Sequence, residues 1–274
     1  SCGALGADPS VMAFKPAGLG VYKSKQFSFT PSFKIVNTES SYLDSKYRDY
    51  DANYFDLNNL SFVQAIERKN DNIGMPYFVW GVSYNKLNKY DENISIGGTN
   101  PTSSLTDWFA SRANGINYTN LSNEDPYYSH LAWETYLIDP ADASGSRYVT
   151  AYDKYGENQS HRISKVGGHS EYNVAIAFNF IHKVFVGFDL GFQTVNYKQT
   201  IFTSEDRPGV TSVVKSFEFT DVVRTTGSGV NFKAGILYSP IEKIRFGASI
   251  QTPTSLKLKD RYSTSCVTNM IDST

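Results

Sequence analysis

The sequence is poor in the features that most often organise a fold. It has two cysteines in 274 residues, Cys2 and Cys266, near opposite ends of the chain. That count excludes a disulfide framework and a cysteine-built metal site, and leaves geometry to decide whether these two pair. Charge of one sign is also missing: 26 basic against 27 acidic residues give a net −1. Nothing in that balance points to nucleic acid or to a polybasic membrane contact. No run approaches the roughly 20 apolar residues of a spanning helix, and mean hydropathy is −0.37. Any membrane crossing is therefore by strands, which a closed barrel permits because it satisfies every backbone group internally. Catalytic signals are lacking as well. His130, His161, His169 and His182 show no metal-ligand spacing. There is no G-x-S-x-G elbow and no phosphate-cradling loop. The sequence argues against an enzyme, and no cofactor or metal is expected. It opens without methionine or a charged-then-apolar leader, so a signal peptide is expected to have been removed or left out.

What the chain has in abundance is aromatic residues, 19 Tyr and 18 Phe among them, and segments of strict alternation. Val174, Ile176, Phe178 and Phe180 share one face against Ala175, Ala177 and Asn179. After Ile181-His182-Lys183 the pattern resumes, with Val184, Val186, Phe188, Leu190 and Phe192 against Gly187, Asp189, Gly191 and Gln193. Strand side chains alternate between faces, so this is a β-hairpin with one apolar face and one polar or small face. The design recurs in Val230–Tyr238 and Ile244–Gln251, joined by Ser239-Pro240-Ile241-Glu242 and Lys243. An apolar band outside, a polar interior and short turns on one side are the signature of an outer-membrane β-barrel. An aromatic-rich secreted β-sandwich is the alternative on composition. It requires Phe178, Phe188 and Phe246 to be buried in a core.

Seven strands are predicted. The first has Phe27, Phe29, Phe33 and Ile35 alternating with Ser28, Thr30, Ser32 and Lys34, with Pro31 on the apolar face marking an edge, bulge or kink. Residues 38–56 read as a loop. A second strand covers Asn58–Arg68, and a third carries Phe78, Trp80, Val82 and Tyr84. Residues 88–158 break the rhythm, with a helix Leu105–Ala113 capped by Ser104 or Thr106 and stopped at Asn114-Gly115, and a second helix over Leu131–Ile138. A connection this long is read as functional. The fourth strand starts near Gln159 and crosses Gly167-Gly168. The fifth reaches Phe202, and the sixth runs Val213–Tyr238 with a bend at Gly227-Ser228-Gly229. The seventh is Ile244–Gln251, followed by a polar tail. Seven strands are too few to close a membrane barrel, so another chain or the remainder of a larger barrel is expected to complete the sheet.

Several segments, in order along nearly the whole chain, carry a resemblance. They are Leu5-Gly6-Ala7-Asp8-Pro9-Ser10, Lys15-Pro16-Ala17-Gly18-Leu19-Gly20, Tyr22-Lys23-Ser24, Phe27-Ser28-Phe29-Thr30-Pro31, Ser103-Ser104-Leu105-Thr106-Asp107, His169-Ser170-Glu171-Tyr172-Asn173, Thr226-Gly227-Ser228-Gly229-Val230-Asn231 and Thr252-Pro253-Thr254. Together they resemble the FadL/OMPP1/TodX family of outer-membrane transport proteins, most closely its Bacteroidetes members. The resemblance implies an all-β, antiparallel transmembrane barrel of about fourteen strands with an N-terminal hatch in the lumen. This chain then supplies a partial hatch, 1–24, and roughly the first half of the barrel, 25–274, with 88–158 as a long extracellular loop. The family's Asn-Pro-Ala hatch signature is here Lys15-Pro16-Ala17, followed by Gly18, which puts any role of the Asn amide in doubt.

The resemblance further implies passive uptake of hydrophobic small molecules, long-chain fatty acids or aromatic hydrocarbons, across the bacterial outer membrane. Its steps are capture on outer loops, transfer to a lumen pocket, and release on hatch movement through a lateral opening. Leu105, Trp108 and Phe109 are the candidate capture residues; with Ala113 they could equally anchor the loop to the barrel rim. Pro31, Gly227 and Gly229 are the candidate strand breaks for lateral opening. Residues 1–24 read alternatively as a flexible tail. Lys233, Arg245, Asp189 and Glu171 face the presumed lumen, to meet a substrate carboxylate or only one another. The expected partners are a hydrophobic ligand and outer-membrane lipid, without nucleic acid. The competing function is a non-transporting barrel that docks secreted or surface proteins.

Overall fold

The computed structural model describes residues 12–50, 54–68, 74–152, 154–207, 213–241 and 244–270, with the backbone alone for 48–50 and 54. It is all-β, built on one large antiparallel sheet. In chain order the strands are β1 (Lys25–Lys34), β2 (Asn37–Tyr42), β3 (Ser45–Tyr50), β4 (Tyr54–Glu67), β5 (Tyr77–Lys89) and β6 (Glu92–Asn100). Three short helices follow, α1 (Leu105–Ala113), α2 (Leu121–Glu124) and α3 (Ser129–Glu134). Then come β7 (Ile138–Pro140), β8 (Tyr148–Thr150), β9 (Glu157–Phe180), β10 (Val184–Asp206), β11 (Val214–Ile241), β12 (Ile244–Gln251) and β13 (Ser255–Met270).

The sheet is a meander in the order β1-β4-β5-β9-β10-β11-β12. β6 continues β5 along the same edge of β9, and β13 continues β12 along the same edge of β11. The predicted hairpin pairs in the expected register, Val184 opposite Phe180 and Phe192 opposite Tyr172. Its turn holds Ile181 and His182 at positive φ, 49° and 54°, with the His182 N–H donated to Asn179 Oδ1 at 3.0 Å.

Four segments differ from the sequence-based expectation. Residues 38–56 contain the hairpin β2–β3 rather than a loop throughout. The stretch 88–158 opens with β6 in the main sheet. The second helix is α3, earlier and shorter than Leu131–Ile138, because Tyr136 at φ 59° ends it and Ile138–Pro140 pairs with β8. The polar tail is β13, paired with β11 from Val214 to Val230. The Gly227–Gly229 bend is absent: β11 is continuous there and paired on both sides. A Cβ at either glycine would strike Leu258 or Leu256 and the adjoining backbone, so these glycines make room for the neighbouring strand. At Pro31 the register does shift between Thr30 and Pro31, as a missing ladder donor requires.

The sheet exposes its apolar face and buries its polar one. On β9, β10 and β11 the apolar sets 172–180, 184–192 and 230–238 lie rung for rung beside one another, and this outer face is open. Phe188 is 37 % exposed, Phe232 44 % and, on β12, Phe246 61 %. Of the three phenylalanines that the sandwich alternative needs in a core, Phe188 and Phe246 are exposed in this chain and Phe178 is half-buried. The opposite, inner face is the buried one, and it carries Glu171, Asn173, Asp189, Gln193, Asn231 and Lys233. Buried charge is tolerated only when paired and hydrogen-bonded. Here Lys233 Nζ lies 3.0 Å from Glu171 Oε1 and 3.2 Å from Asp189 Oδ1. Asn231 and Gln193 donate to Glu171 at 2.8 and 3.1 Å, and Asn173 donates to Asp189 at 2.9 Å. Of the four charges expected to face a lumen, Lys233, Glu171 and Asp189 pair with each other, while Arg245 is exposed.

Residues 12–22 lie on this inner face. Lys15 precedes a 3₁₀ turn, Pro16–Val21, in which the Gly18 N–H is donated to the Lys15 carbonyl at 3.0 Å. Met12, Leu19 and Tyr22 pack on Val63, Val79, Ala175 and Ala177, and Ala17 packs on Phe185 and Leu237. The close approach depends on Gly187, where a Cβ would fall 2.2 Å from the Pro16 carbonyl. Overpacking of this kind costs about 1–3 kcal/mol. Gly187→Val is therefore expected to lower the melting temperature and to accelerate proteolysis within 12–22. Unchanged cleavage kinetics would show that the turn does not depend on this contact.

Candidate functional site

The helical segment folds back on the upper parts of β9, β10 and β11 and walls one side of an open cavity of about 700 Å³, within the range of small-molecule sites. α1 is fixed by local sequence: Ser104 and Asp107 form a reciprocal capping box, and Asn114 ends the helix ahead of Gly115 at φ 96°. Tertiary contacts then orient it. Glu205 on β10 accepts from the Leu105 N–H at 2.7 Å and from the Ser104 hydroxyl, so a buried carboxylate meets the positive end of the helix. Gln159 on β9 donates to Glu205 at 2.9 Å and accepts from the Tyr42 hydroxyl at 2.7 Å, which ties in the β2–β3 hairpin.

Leu105, Trp108 and Phe109 all line the cavity, joined by Tyr128, Ile96, Ile201 and Phe219. The residues of the α1 face differ in what they touch. Phe109 and Ala113 are fully buried against Phe217 and Phe219 of β11 and anchor the segment. Trp108 is 44 % exposed and presents its ring edge-on to Phe109 and Tyr128, at 5.4 and 5.3 Å between centroids. The polar lining includes Asn100, Gln159, His161, Glu205 and Asp221 beside several hydroxyls, with no lysine or arginine. Tyr128 donates to Asp221 at 2.9 Å; burial, and then this bond, push its pKa up and keep it a donor.

The aromatic wall is braced from behind. Arg112 lies over Tyr128 and Trp108, 5.0 and 5.4 Å from the ring centroids, and grips Asp125 through Nε and Nη2 at 2.6 and 3.1 Å. Asp125 also accepts from the Ser129 N–H and hydroxyl at 3.1 and 2.5 Å. Thus one carboxylate holds α1 to α3.

Searches against protein-family models, curated proteins and solved structures return no match. The site therefore rests on its own geometry.

The other sequence-derived candidates lie elsewhere. Lys15, Pro16, Ala17 and Gly18 sit in the 3₁₀ turn on the inner face, Pro31 at the sheet edge, and Gly227 and Gly229 within β11. The rest of the 1–24 segment, residues 1–11 with Cys2, lies outside the described residues. Cys266 is free, and its sulfur accepts from the Thr135 hydroxyl at 3.3 Å. Sequence reasoning missed Tyr128, Glu205, Asp221 and Phe219. Glu205 sits about a hundred positions from Ser104, and only the long strands bring them together.

Burial pushes the Asp125 carboxyl up, but hydrogen bonds from Arg112 and Ser129 outweigh it and hold the pKa below the ordinary carboxylate range. A lowered carboxylate pKa stabilises the fold above its unfolded-state value, and that stabilisation is lost as pH falls through the folded value. Trp108 fluorescence is expected to report loosening of α1 only at pH below about 4. Asp125→Asn should destabilise the segment by about 1–3 kcal/mol at neutral pH and flatten this acid transition. An unaltered transition in the variant would assign it to another group.

Proposed function

We propose that this chain forms part of the wall of an outer-membrane channel for passive uptake of hydrophobic small molecules. The observation that carries the proposal is the sheet's exposed apolar face. Three neighbouring strands end their outward apolar sets on common rungs, and each set is nine residues long. A strand needs about 9–11 residues, tilted, to cross a bilayer. Beyond the last rung the outer face becomes polar at once, with Ser170, Thr194 and Ser228. Tyr84 and Tyr172 meet at that boundary, 5.3 Å between ring centroids, as in the aromatic girdles of membrane barrels. Ordinary soluble monomers rarely expose a contiguous apolar face that runs across three strands.

On this reading the segment at 12–22 is a hatch against the lumen wall, and the cavity under α1 is the first capture site. Its driving force is apolar area removed from water, about 25 cal/mol per Å². The lining supplies aromatic faces, hydroxyls and carboxylates but no cation. That favours neutral aromatic or aliphatic molecules over ionised fatty acids. The Pro31 register shift supports a weak point in the wall near β1 and β4; the unbroken β11 gives no such support at Gly227 and Gly229.

The docking reading draws on a different observation. Between the turn and the cavity the inner face carries the buried Lys233–Glu171–Asp189 cluster rather than an apolar pocket, which suits a sealed barrel. Uptake by cells with and without the full-length gene separates the two. Gene-dependent, saturable uptake of labelled naphthalene, exceeding that of a labelled long-chain fatty acid, is expected. Trp108→Ala should weaken capture by about tenfold, since truncating a well-packed aromatic anchor commonly costs 1–2 kcal/mol or more. Equal uptake with and without the gene, the barrel being present in the outer membrane, would exclude transport of these molecules and leave docking.

A further inference from the structure

Above the apolar band the outer face of the sheet carries a ladder of cations. Lys198 on β10 lies opposite Arg224 on β11, and Arg224 lies opposite Arg261 on β13. Stepping down β13 toward the band come Lys259, opposite Thr226, and Lys257, opposite Ser228; the next rung is Val230, the band's edge. Alternation puts all five on the same face as Phe192 and Val230. Four of them are exposed and Lys198 is half-buried.

We propose that these five residues bind the phosphates of a lipid head group, that of a phosphorylated glycolipid, a reading that rests on the membrane assignment above. Like charges directly opposite one another across a ladder are destabilising, and here three cations share one rung. Among the described residues none of the five makes an ion pair. The nearby acids are turned to the other face: Asp260 accepts from the Thr225 hydroxyl at 2.6 Å and Asp221 from Tyr128. The counter-charge must then come from outside the sheet. Guanidinium groups bind phosphate in a bidentate manner, and Thr194, Asn196, Thr226 and Ser228 add neutral donors between the cations.

Height selects the occupant. At about 3.3 Å per residue along strands tilted by about 40°, the ladder rises from roughly 5 to 15 Å above the apolar edge. The glycerol-phosphate layer of a simple phospholipid reaches only the lowest lysines, since it adds about 5–7 Å to each side of the hydrocarbon core. A phosphorylated sugar head group extends over the whole ladder. Acyl chains would lie against Phe192, Val230 and Phe232 below.

The test uses the full-length protein in detergent, with binding of diphosphoryl lipid A and of its dephosphorylated form measured by native mass spectrometry. The triple variant K257Q/K259Q/R261Q, and R224Q separately, should lose about tenfold or more in affinity for the diphosphoryl form. Replacement of both lysines by arginine should retain it. Equal binding of the two lipids by the unaltered protein, or unchanged binding by the triple variant, would overturn the proposal. So would displacement by inorganic phosphate, which would make the ladder a site for the free ion. Insertion into vesicles of phosphatidylcholine alone separates the two levels. Failure there removes the membrane assignment and this proposal together, whereas insertion without phosphate preference removes this proposal only.

Discussion

The structure depends on one constraint: a sheet that exposes its apolar face must pair the charges on its buried face from within. Lys233 is 2 % exposed, Glu171 3 % and Asp189 1 %. None of the three is tolerable alone in such surroundings. Asn173, Gln193 and Asn231 add hydrogen bonds to the two carboxylates, and the register of β9, β10 and β11 aligns all six. A slip of one residue would send the charges to the apolar side and the phenylalanines inward. The long, unbroken ladders and the seating of the 12–22 segment against small residues follow from holding that register.

The parts of the fold legible in the sequence were those where one face differs sharply from the other. The 174–192 hairpin shows clean period-two alternation, and its register follows directly. α1 was legible to the residue because Ser104, Asp107, Asn114 and Gly115 are local signals that need no tertiary help. β2 and β3 carry polar residues on both faces, so no hydrophobic period marks them, and β6 shows only Ile94 and Ile96 alternating with Asn93 and Ser95. β13 did leave a trace, Leu256 and Leu258 alternating with Lys257 and Lys259, but its many charged and hydroxyl residues read as a tail.

Charge behaved in the same way. A net of −1 contains no hint of a cationic surface, because Asp221 and Asp260, the acids next to the ladder, are placed on the opposite face. Arg224 and Arg261 become neighbours only through pairing, and Lys198 joins them from a third strand. The cavity has a similar origin. Leu105, Trp108 and Phe109 form a recognisable helical face, while Glu205, Asp221 and Phe219 reach it from strands that the sequence places about a hundred residues away.

The long strands also set a distance. Ile201 in the cavity wall lies nine residues beyond Phe192 on β10, about 30 Å along the strand, and the cavity stands on a mast well clear of the apolar band. On the proposed reading, a molecule held there has left the water without having entered the membrane. Occupancy of the cavity and flux through the wall then become separate events with separate rates. The cavity can fill and equilibrate with the medium while the barrier below it stays closed.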